Sequence, residues 1–128
     1  SQGIGFRTAE LLAHRGAKVI INGRNQEKVM NAVERLKKQG LTAIGIPGDV
    51  SNHDFCLELR NKIVTAFGGI DFLINNAGLA AKGRLEDMQS EVYRMIFEVN
   101  VMGSLNPTLA VLNDLKKSKG GVLFISSL

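Results

Sequence analysis

Apolar residues along this chain recur at two spacings, one typical of helices and one typical of strands. Helical spacing dominates four segments, at about residues 4–15, 26–38, 52–67 and 89–117. Short β-branched or apolar runs between glycines and turn residues favour four strands, at 17–22, 42–47, 70–75 and 122–126. The predicted order is therefore one helix, then strand and helix three times, then a final strand.

Local signals set several of the predicted boundaries. Asn25 follows a turn and is expected to cap the second helix. Ser51 and Asp54 resemble a capping box for the third helix. Pro107 lies inside the long fourth helical region and predicts a kink there, because proline removes a backbone donor. The expected buried stripe of that region is Val101, Leu105, Leu109, Leu112 and Leu115.

Strands that alternate with helices of this length indicate right-handed β–α–β units and a parallel sheet. The uninterrupted apolar run at 70–74 suits a strand that is buried on both faces. The predicted fold class is α/β, a doubly wound parallel sheet with helices on both faces. The length of 128 residues predicts a single domain over 1–128.

Composition narrows the possible functions. The chain is 45% hydrophobic and 22% charged, as in ordinary globular proteins, and no apolar run approaches the roughly 20 residues of a membrane span. Cys56 is the only cysteine, which favours a reducing compartment, and we expect a cytoplasmic location. The net charge of +4 comes from scattered basic residues, which disfavours a nucleic-acid surface and suits a phosphate-bearing cofactor. His14 and His53 show no metal-ligand spacing, so no metal site is predicted.

The start of the first helix carries a candidate phosphate site. Glycines in Gly3-Ile4-Gly5 would let backbone approach a pyrophosphate, and a helix N-terminus supplies free N–H groups. Taken alone, this short motif is more often a plain turn. Arg24 follows the next strand, where dinucleotide-binding folds meet the adenosine ribose. The alternative for Arg24 is a solvated turn residue, but an arginine without an acidic neighbour there favours NADP over NAD.

Two further strand ends carry polar residues. The Asp49 carboxylate, followed by Val50, could accept a hydrogen bond from an adenine amino group or could bond turn amides. Asn75 and Asn76 end the apolar strand at 70–74, where ligands of open α/β sheets bind. Their amides could serve a nucleotide, tie neighbouring strands together, or do both.

Together these residues resemble the short-chain dehydrogenase/reductase family, over nearly the whole chain and in order. Gly3-Ile4-Gly5 resembles the end of the family's Thr-Gly-x-x-x-Gly-x-Gly element. Asp49-Val50 resembles its adenine-site pair, and Asn75-Asn76-Ala77-Gly78 its Asn-Asn-Ala-Gly element. Asn100 matches the active-site asparagine, and Ser126-Ser127 resembles the end of the strand whose second serine is catalytic.

The resemblance implies a Rossmann-like three-layer fold and an oxidoreductase. It implies hydride transfer between a nicotinamide cofactor and a carbonyl or secondary alcohol. NADP(H) is favoured over NAD(H) as the cofactor. Ser127 would polarise the substrate oxygen, and Asn100 would hold a water of the proton relay and distort its own helix. The implied cofactor-binding residues are Ser1, Gln2, Gly3, Ile4, Gly5, Arg24, Asn25, Asp49, Val50, Asn76, Ala77 and Gly78.

Two family features are absent from the sequence. No Tyr-x-x-x-Lys is present, and Tyr93, the only tyrosine, precedes the serine and is followed at the fourth position by Phe97. The family's first strand is central in its sheet, so the strands at 17–22 and 70–75 are expected to lack a shared neighbour. We therefore expect these residues to be part of a longer polypeptide and inactive alone.

One alternative is a catalytically inactive relative that binds a dinucleotide and acts as a sensor or partner-binding protein. A Tyr-x-x-x-Lys segment after Ser127 would favour the enzyme, and its absence would favour the sensor. In either case the resemblance implies a homodimer or homotetramer formed through the 89–117 helical region. A small carbonyl or alcohol is the implied substrate of the enzyme.

Overall fold

A computed structural model describes residues 3–126 of the chain, and it confirms the predicted order of elements. Ser1, Gln2 and Ser127, which the sequence assigns to the site, lie outside the described residues. The helices are α1 (Gly3–His14), α2 (Gln26–Lys37), α3 (His53–Phe67), α4 (Ser90–Phe97) and α5 (Gly103–Ser118), and the strands are β1 (Val19–Gly23), β2 (Ala43–Pro47), β3 (Phe72–Asn75) and β4 (Gly121–Phe124). A 3-10 turn covers Leu85–Asp87, and a π-helical turn at Glu98–Met102 joins α4 to α5.

The strands form two parallel pairs. β1 pairs with β2 in a register from Val19 opposite Ala43 to Gly23 opposite Pro47. β3 pairs with β4 from Phe72 opposite Gly121 to Asn75 opposite Phe124. Among the described residues no strand bonds to both β1 and β3, as the sequence predicts.

Helices cover both faces of the β1–β2 pair because its side chains alternate in direction. On one face, Val19, Ile21 and Ala43 pack in a buried cluster with the apolar sides of α1 and α2. On the other face, Ile46 packs with residues of α3 and α5. This is the predicted arrangement of helix, sheet and helix in three layers.

Helix capping agrees with the sequence at one site and differs at another. Asn25 caps α2, because its side chain accepts a hydrogen bond from the Lys28 N–H at 2.9 Å. The cap of α3 is Asn52, which accepts from the Phe55 N–H at 3.0 Å, and Ser51 is not the cap. The capping-box prediction was wrong because the Ser51 hydroxyl bonds to Asp49 instead.

The predicted buried stripe of the long helical region was also wrong. Of its five residues only Leu115 is buried, while Val101, Leu105, Leu109 and Leu112 are 37–51% exposed. α5 buries a different face, which packs on α3 and β3 and consists of Gly103, Asn106, Pro107, Val111 and Leu115.

The Ser90–Ser118 stretch is long and apolar enough, by length and composition, to cross a membrane. That criterion alone is weak, since core helices also meet it. Here Asp114 of the stretch forms an ion pair with Arg60 of α3. The Asp114 carboxylate accepts two hydrogen bonds from the Arg60 guanidinium, each at 2.8 Å. α5 therefore contacts the rest of the domain through polar as well as apolar groups.

Candidate cofactor and active site

The start of α1 lies against the end of β3. Gly3 has φ +61°, and a Cβ built on it would meet nothing within 4 Å, so backbone there is open to a ligand. A Cβ built on Gly5 would lie 2.5 Å from Nδ2 of Asn76. The glycine therefore permits a close contact between the first turn of α1 and the Asn76 amide. The structure brings Gly3, Gly5 and Asn76 to one place, as the sequence predicts.

The turn after β1 holds Arg24, which is predicted to meet the ribose, and Asn25, which the resemblance implies is a cofactor-binding residue. Asn25 uses its side-chain oxygen to cap α2, so that oxygen already accepts a hydrogen bond. Arg24 is exposed, and among residues 3–126 no ion pair involves it. An arginine in this position retains its guanidinium donors for an anion. Its contact with a 2′-phosphate stays a prediction.

Asp49 makes the turn contacts that the sequence offered as one alternative. Its Oδ1 accepts from the Ser51 N–H at 2.9 Å and from the Ser51 hydroxyl at 2.8 Å. Val50 packs against α5, where a Cβ built on Gly103 would lie 3.3 Å from Val50 Cγ2. These contacts fix the loop after β2, while an adenine contact of Asp49 stays a prediction.

Cys56 lies next to this loop and is buried. Its thiol donates to the Val50 carbonyl at 3.2 Å. Burial, and to a smaller degree the charge of Asp49, raise the pKa of the Cys56 thiol to about 11. A thiol with so high a pKa is a poor nucleophile at neutral pH.

Asn75 does not tie neighbouring strands through its side chain. It is buried, and its Nδ2 donates to the Thr108 hydroxyl of α5 at 3.0 Å. The tie therefore runs from strand to helix. Its backbone carbonyl accepts from the Ile125 N–H at 2.9 Å, which extends the contact with β4.

Asn100 lies in the π-helical turn, which confirms the predicted distortion of its helix. The Gly103 N–H donates to the Glu98 carbonyl five residues earlier, as in a π turn. The sequence predicts a kink at Pro107. In the structure α5 continues through Pro107, and the irregular π-helical turn lies before it, at Glu98–Met102. Such turns often mark functional sites.

The Asn100 side chain makes a pair of hydrogen bonds that the sequence did not reveal. Its Oδ1 accepts from the Leu79 N–H at 2.7 Å, and its Nδ2 donates to the Leu79 carbonyl at 2.9 Å. A Cβ built on Gly78 would lie 3.8 Å from Asn100 Oδ1. Asn100 thus holds the backbone that follows Asn76-Ala77-Gly78, and no local pattern in the sequence encodes that pairing.

Two hydroxyls of α5 also belong to this region and were missed. Ser104 and Thr108 follow Asn100 at intervals of four, which places all three on one side of the helix. The only sequence signal for them is this spacing. Among residues 3–126, no group of three or more His, Cys, Asp or Glu side chains is placed to hold a metal ion.

Comparisons with known proteins show the family to which the chain belongs. A family model described as short chain dehydrogenase matches residues 1–128. The chain is 36% identical over 129 residues to "Dehydrogenase/reductase SDR family member 4" of Caenorhabditis elegans, and the match covers 99% of this chain and 50% of that protein. The chain belongs to the short-chain dehydrogenase family, and it spans about half the length of the curated relatives it matches.

Solved structures show the same fold. An alcohol dehydrogenase of Thermococcus sibiricus in complex with 5-hydroxy-NADP superposes with a TM-score of 0.89 at 29% identity, covering 95% of this chain and 52% of that one. A variant of the actinorhodin polyketide ketoreductase with NADPH gives a TM-score of 0.92 at 28% identity, covering 98% and 49%. The fold is therefore Rossmann-like.

Proposed function

We propose that the protein containing this chain is an NADP-dependent oxidoreductase acting on a carbonyl or secondary alcohol. The observation that carries the proposal is the contact between Gly5 of α1 and the Asn76 amide. It places a helix N-terminus beside a strand end that carries amide groups, which is the arrangement that binds dinucleotides in α/β folds. Membership in the short-chain dehydrogenase family supports it.

The described residues fit a dinucleotide. Gly3 has a left-handed backbone and open space where a side chain would lie, so phosphate oxygens can approach the N–H groups of α1. In our proposal Asn76, Ala77 and Gly78 lie along the nucleotide, and Asp49 and Val50 lie along its adenine. When bound, the nicotinamide ring supplies or accepts the hydride.

Arg24 is the residue we assign to cofactor choice. Its exposed guanidinium follows the carboxyl end of β1, and the turn Gly23-Arg24-Asn25 contains no carboxylate that would bond a ribose 2′-hydroxyl. A 2′-phosphate would accept charge-assisted hydrogen bonds from it. The NADPH and 5-hydroxy-NADP of the two similar structures agree with this assignment.

Ser127 and Asn100 are the catalytic residues of the proposal. Ser127 donates a hydrogen bond to the substrate oxygen and so favours negative charge there. The Asn100 backbone contacts the water that returns a proton to the general acid. Tyr93 is not that acid, because Phe97 occupies the fourth position after it. The proposal therefore places the Tyr-x-x-x-Lys pair outside these 128 residues.

The exposed apolar side of α5 supports the proposed homodimer or homotetramer. Leu105 and Leu109 are 44% and 51% exposed, next to exposed Val101 and Leu112. Covering these side chains with a second copy would remove apolar surface from water. A cytoplasmic location is part of the same proposal.

A cofactor titration of the full-length protein tests the function. Dissociation constants for NADPH and NADH follow from nicotinamide fluorescence, and turnover is measured with a panel of small ketones and aldehydes. We expect tighter NADPH binding, and Arg24→Asp should weaken it about tenfold or more relative to NADH, because charge-assisted hydrogen bonds are lost.

Arg15→Asp is the matched control for this substitution. It makes the same charge change at an exposed residue beyond the far end of α1, about 18 Å of helix from Gly3. Equal effects of both variants on the NADPH-to-NADH ratio would contradict the role of Arg24. Tight cofactor binding without turnover of any panel compound would favour the inactive relative over the enzyme.

A further inference from the structure

Four polar residues link the end of β3 to the π-helical turn through three separate hydrogen bonds. We name them the polar ladder: Asn75, Thr108, Ser104 and Asn100. Asn75 Nδ2 donates to the Thr108 hydroxyl at 3.0 Å, and that hydroxyl donates to the Ser104 carbonyl at 2.7 Å. The Ser104 hydroxyl donates to the Asn100 carbonyl at 3.0 Å. The ladder therefore connects two residues at the candidate site.

The direction of each bond is fixed by the number of protons available. A hydroxyl has one proton to donate, and Thr108 donates its proton to Ser104, so it can only accept from Asn75. The Ser104 proton is committed to Asn100 in the same way. Asn75 is buried and Thr108 is half-buried, so water replaces these partners poorly.

The ladder ends on Asn100, whose backbone carbonyl and side chain both make hydrogen bonds. The Asn100 carbonyl accepts from Ser104, while the side chain bonds both backbone groups of Leu79. A serine hydroxyl that bonds the carbonyl four residues earlier is common in helices and often bends them. Here it bonds a carbonyl within the π-helical turn itself.

We propose that Ser104, supported by Thr108, is a positioning residue that orients the Asn100 carbonyl and the Asn100 contact with Leu79. The kinetic part of this inference rests on the proposed function. Without the Ser104 hydroxyl, the Asn100 carbonyl loses a donor, and the positive end of a dipole is removed from the site. In the proposed reaction, the tyrosine of the Tyr-x-x-x-Lys pair would then hold its proton more tightly, so the midpoint of the pH dependence would rise.

The test uses Ser104→Ala and Ser104→Thr in the full-length protein. Alanine is a strong helix former, so Ser104→Ala retains the helix while it removes the hydroxyl. Ser104→Thr restores a hydroxyl that can reach the same carbonyl. Ser118→Ala is the matched control, since Ser118 lies at the other end of α5 and bonds the Ile70 carbonyl at 3.0 Å.

The first readout is amide hydrogen exchange at Leu79, which requires no substrate. We expect exchange about fivefold faster in Ser104→Ala, which is the effect of weakening one hydrogen bond, and wild-type exchange in Ser104→Thr and Ser118→Ala. Unchanged Leu79 exchange in Ser104→Ala overturns the inference. An equal increase in Ser118→Ala also overturns it, because the effect would then be general loosening of α5.

The second readout is the pH dependence of kcat/KM with NADPH and the best ketone of the panel. The midpoint of this pH profile should be higher by about 0.3 pH units or more in Ser104→Ala, and it should equal the wild-type value in Ser104→Thr. A structural defect would lower the rate without moving the midpoint, and that outcome overturns the positioning role. If the wild-type protein turns over no ketone, the proposed function fails, and Leu79 exchange alone decides the inference.

Discussion

Gly5→Ala is a direct test of the contact on which the cofactor site depends. The added Cβ would lie 2.5 Å from Nδ2 and 2.8 Å from Cγ of Asn76. Unstrained contacts between such atoms need about 3.5 Å, so the Asn76 amide has to move by roughly 1 Å. Gly5 does not have a positive φ, so alanine causes no backbone strain there.

The expected effects on stability and on binding differ in size. Alanine in place of glycine favours a helix by up to about 1 kcal/mol, and it offsets part of the cost of moving a flexible side chain. The free energy of unfolding should therefore change little. A displaced Asn76 loses its proposed hydrogen bond to the nucleotide, which costs about 1–2 kcal/mol and weakens NADPH binding roughly 5- to 30-fold.

The measurement is an NADPH titration of the full-length protein, together with thermal unfolding of the same samples. Gly69→Ala is the control, because a Cβ at Gly69 would meet nothing within 4 Å and its φ is not positive. NADPH affinity equal to that of wild type in Gly5→Ala would refute the proposed role of Asn76. Equal losses of affinity in both variants would refute it as well.

Two other predictions concern ionisation. Arg60 donates hydrogen bonds to Asp114 and holds the pKa of that carboxyl below its ordinary value. The ion pair therefore stabilises the fold fully above the ordinary carboxyl pKa of about 3.9. This stabilisation is lost as the pH falls through the lowered pKa. Asp114→Asn should cost about 0.5–1 kcal/mol in urea unfolding at pH 7 and less at pH 2, and a cost that does not depend on pH would contradict the pair. The Cys56 thiol, whose pKa is raised to about 11, should resist iodoacetamide at pH 8 in the native protein and should react with it in urea. Peptide mass spectrometry measures the labelling. Rapid labelling of the native protein would contradict this prediction, because it would show that the thiol is accessible.

Much of the candidate site follows from strand order, which the sequence encodes. Gly3, Asp49 and Asn76 stand next to predicted strand or helix ends, and parallel strands bring their carboxyl ends to one edge. The contact between Gly5 and Asn76 agrees with that expectation. The bonds from Asn100 to Leu79 and from Asn106 to Ser51 were not predictable, since they join residues 21 and 55 positions apart.

The long helical region shows the limit of periodicity most clearly. Its leucines recur at helical spacing and predicted a buried stripe, yet the structure buries the side that carries Asn106 and Val111. Periodicity shows that an apolar side exists, but the partner that covers it is decided elsewhere in the chain. Asn106 of α5 donates to the Ser51 carbonyl, and Asp114 of α5 accepts from Arg60. These two hydrogen bonds fix the rotation of α5 about its own axis.

The sequence by itself determined the order of helices and strands, the parallel connections and the residues at the strand ends, because short-range spacing and turn residues encode them. Tertiary structure alone decided that Asn52 rather than Ser51 caps α3, which side of α5 is buried, and that Asn100 holds Leu79. Each of these depends on which polar partner is within hydrogen-bonding distance, and that distance is set only when distant segments pack together.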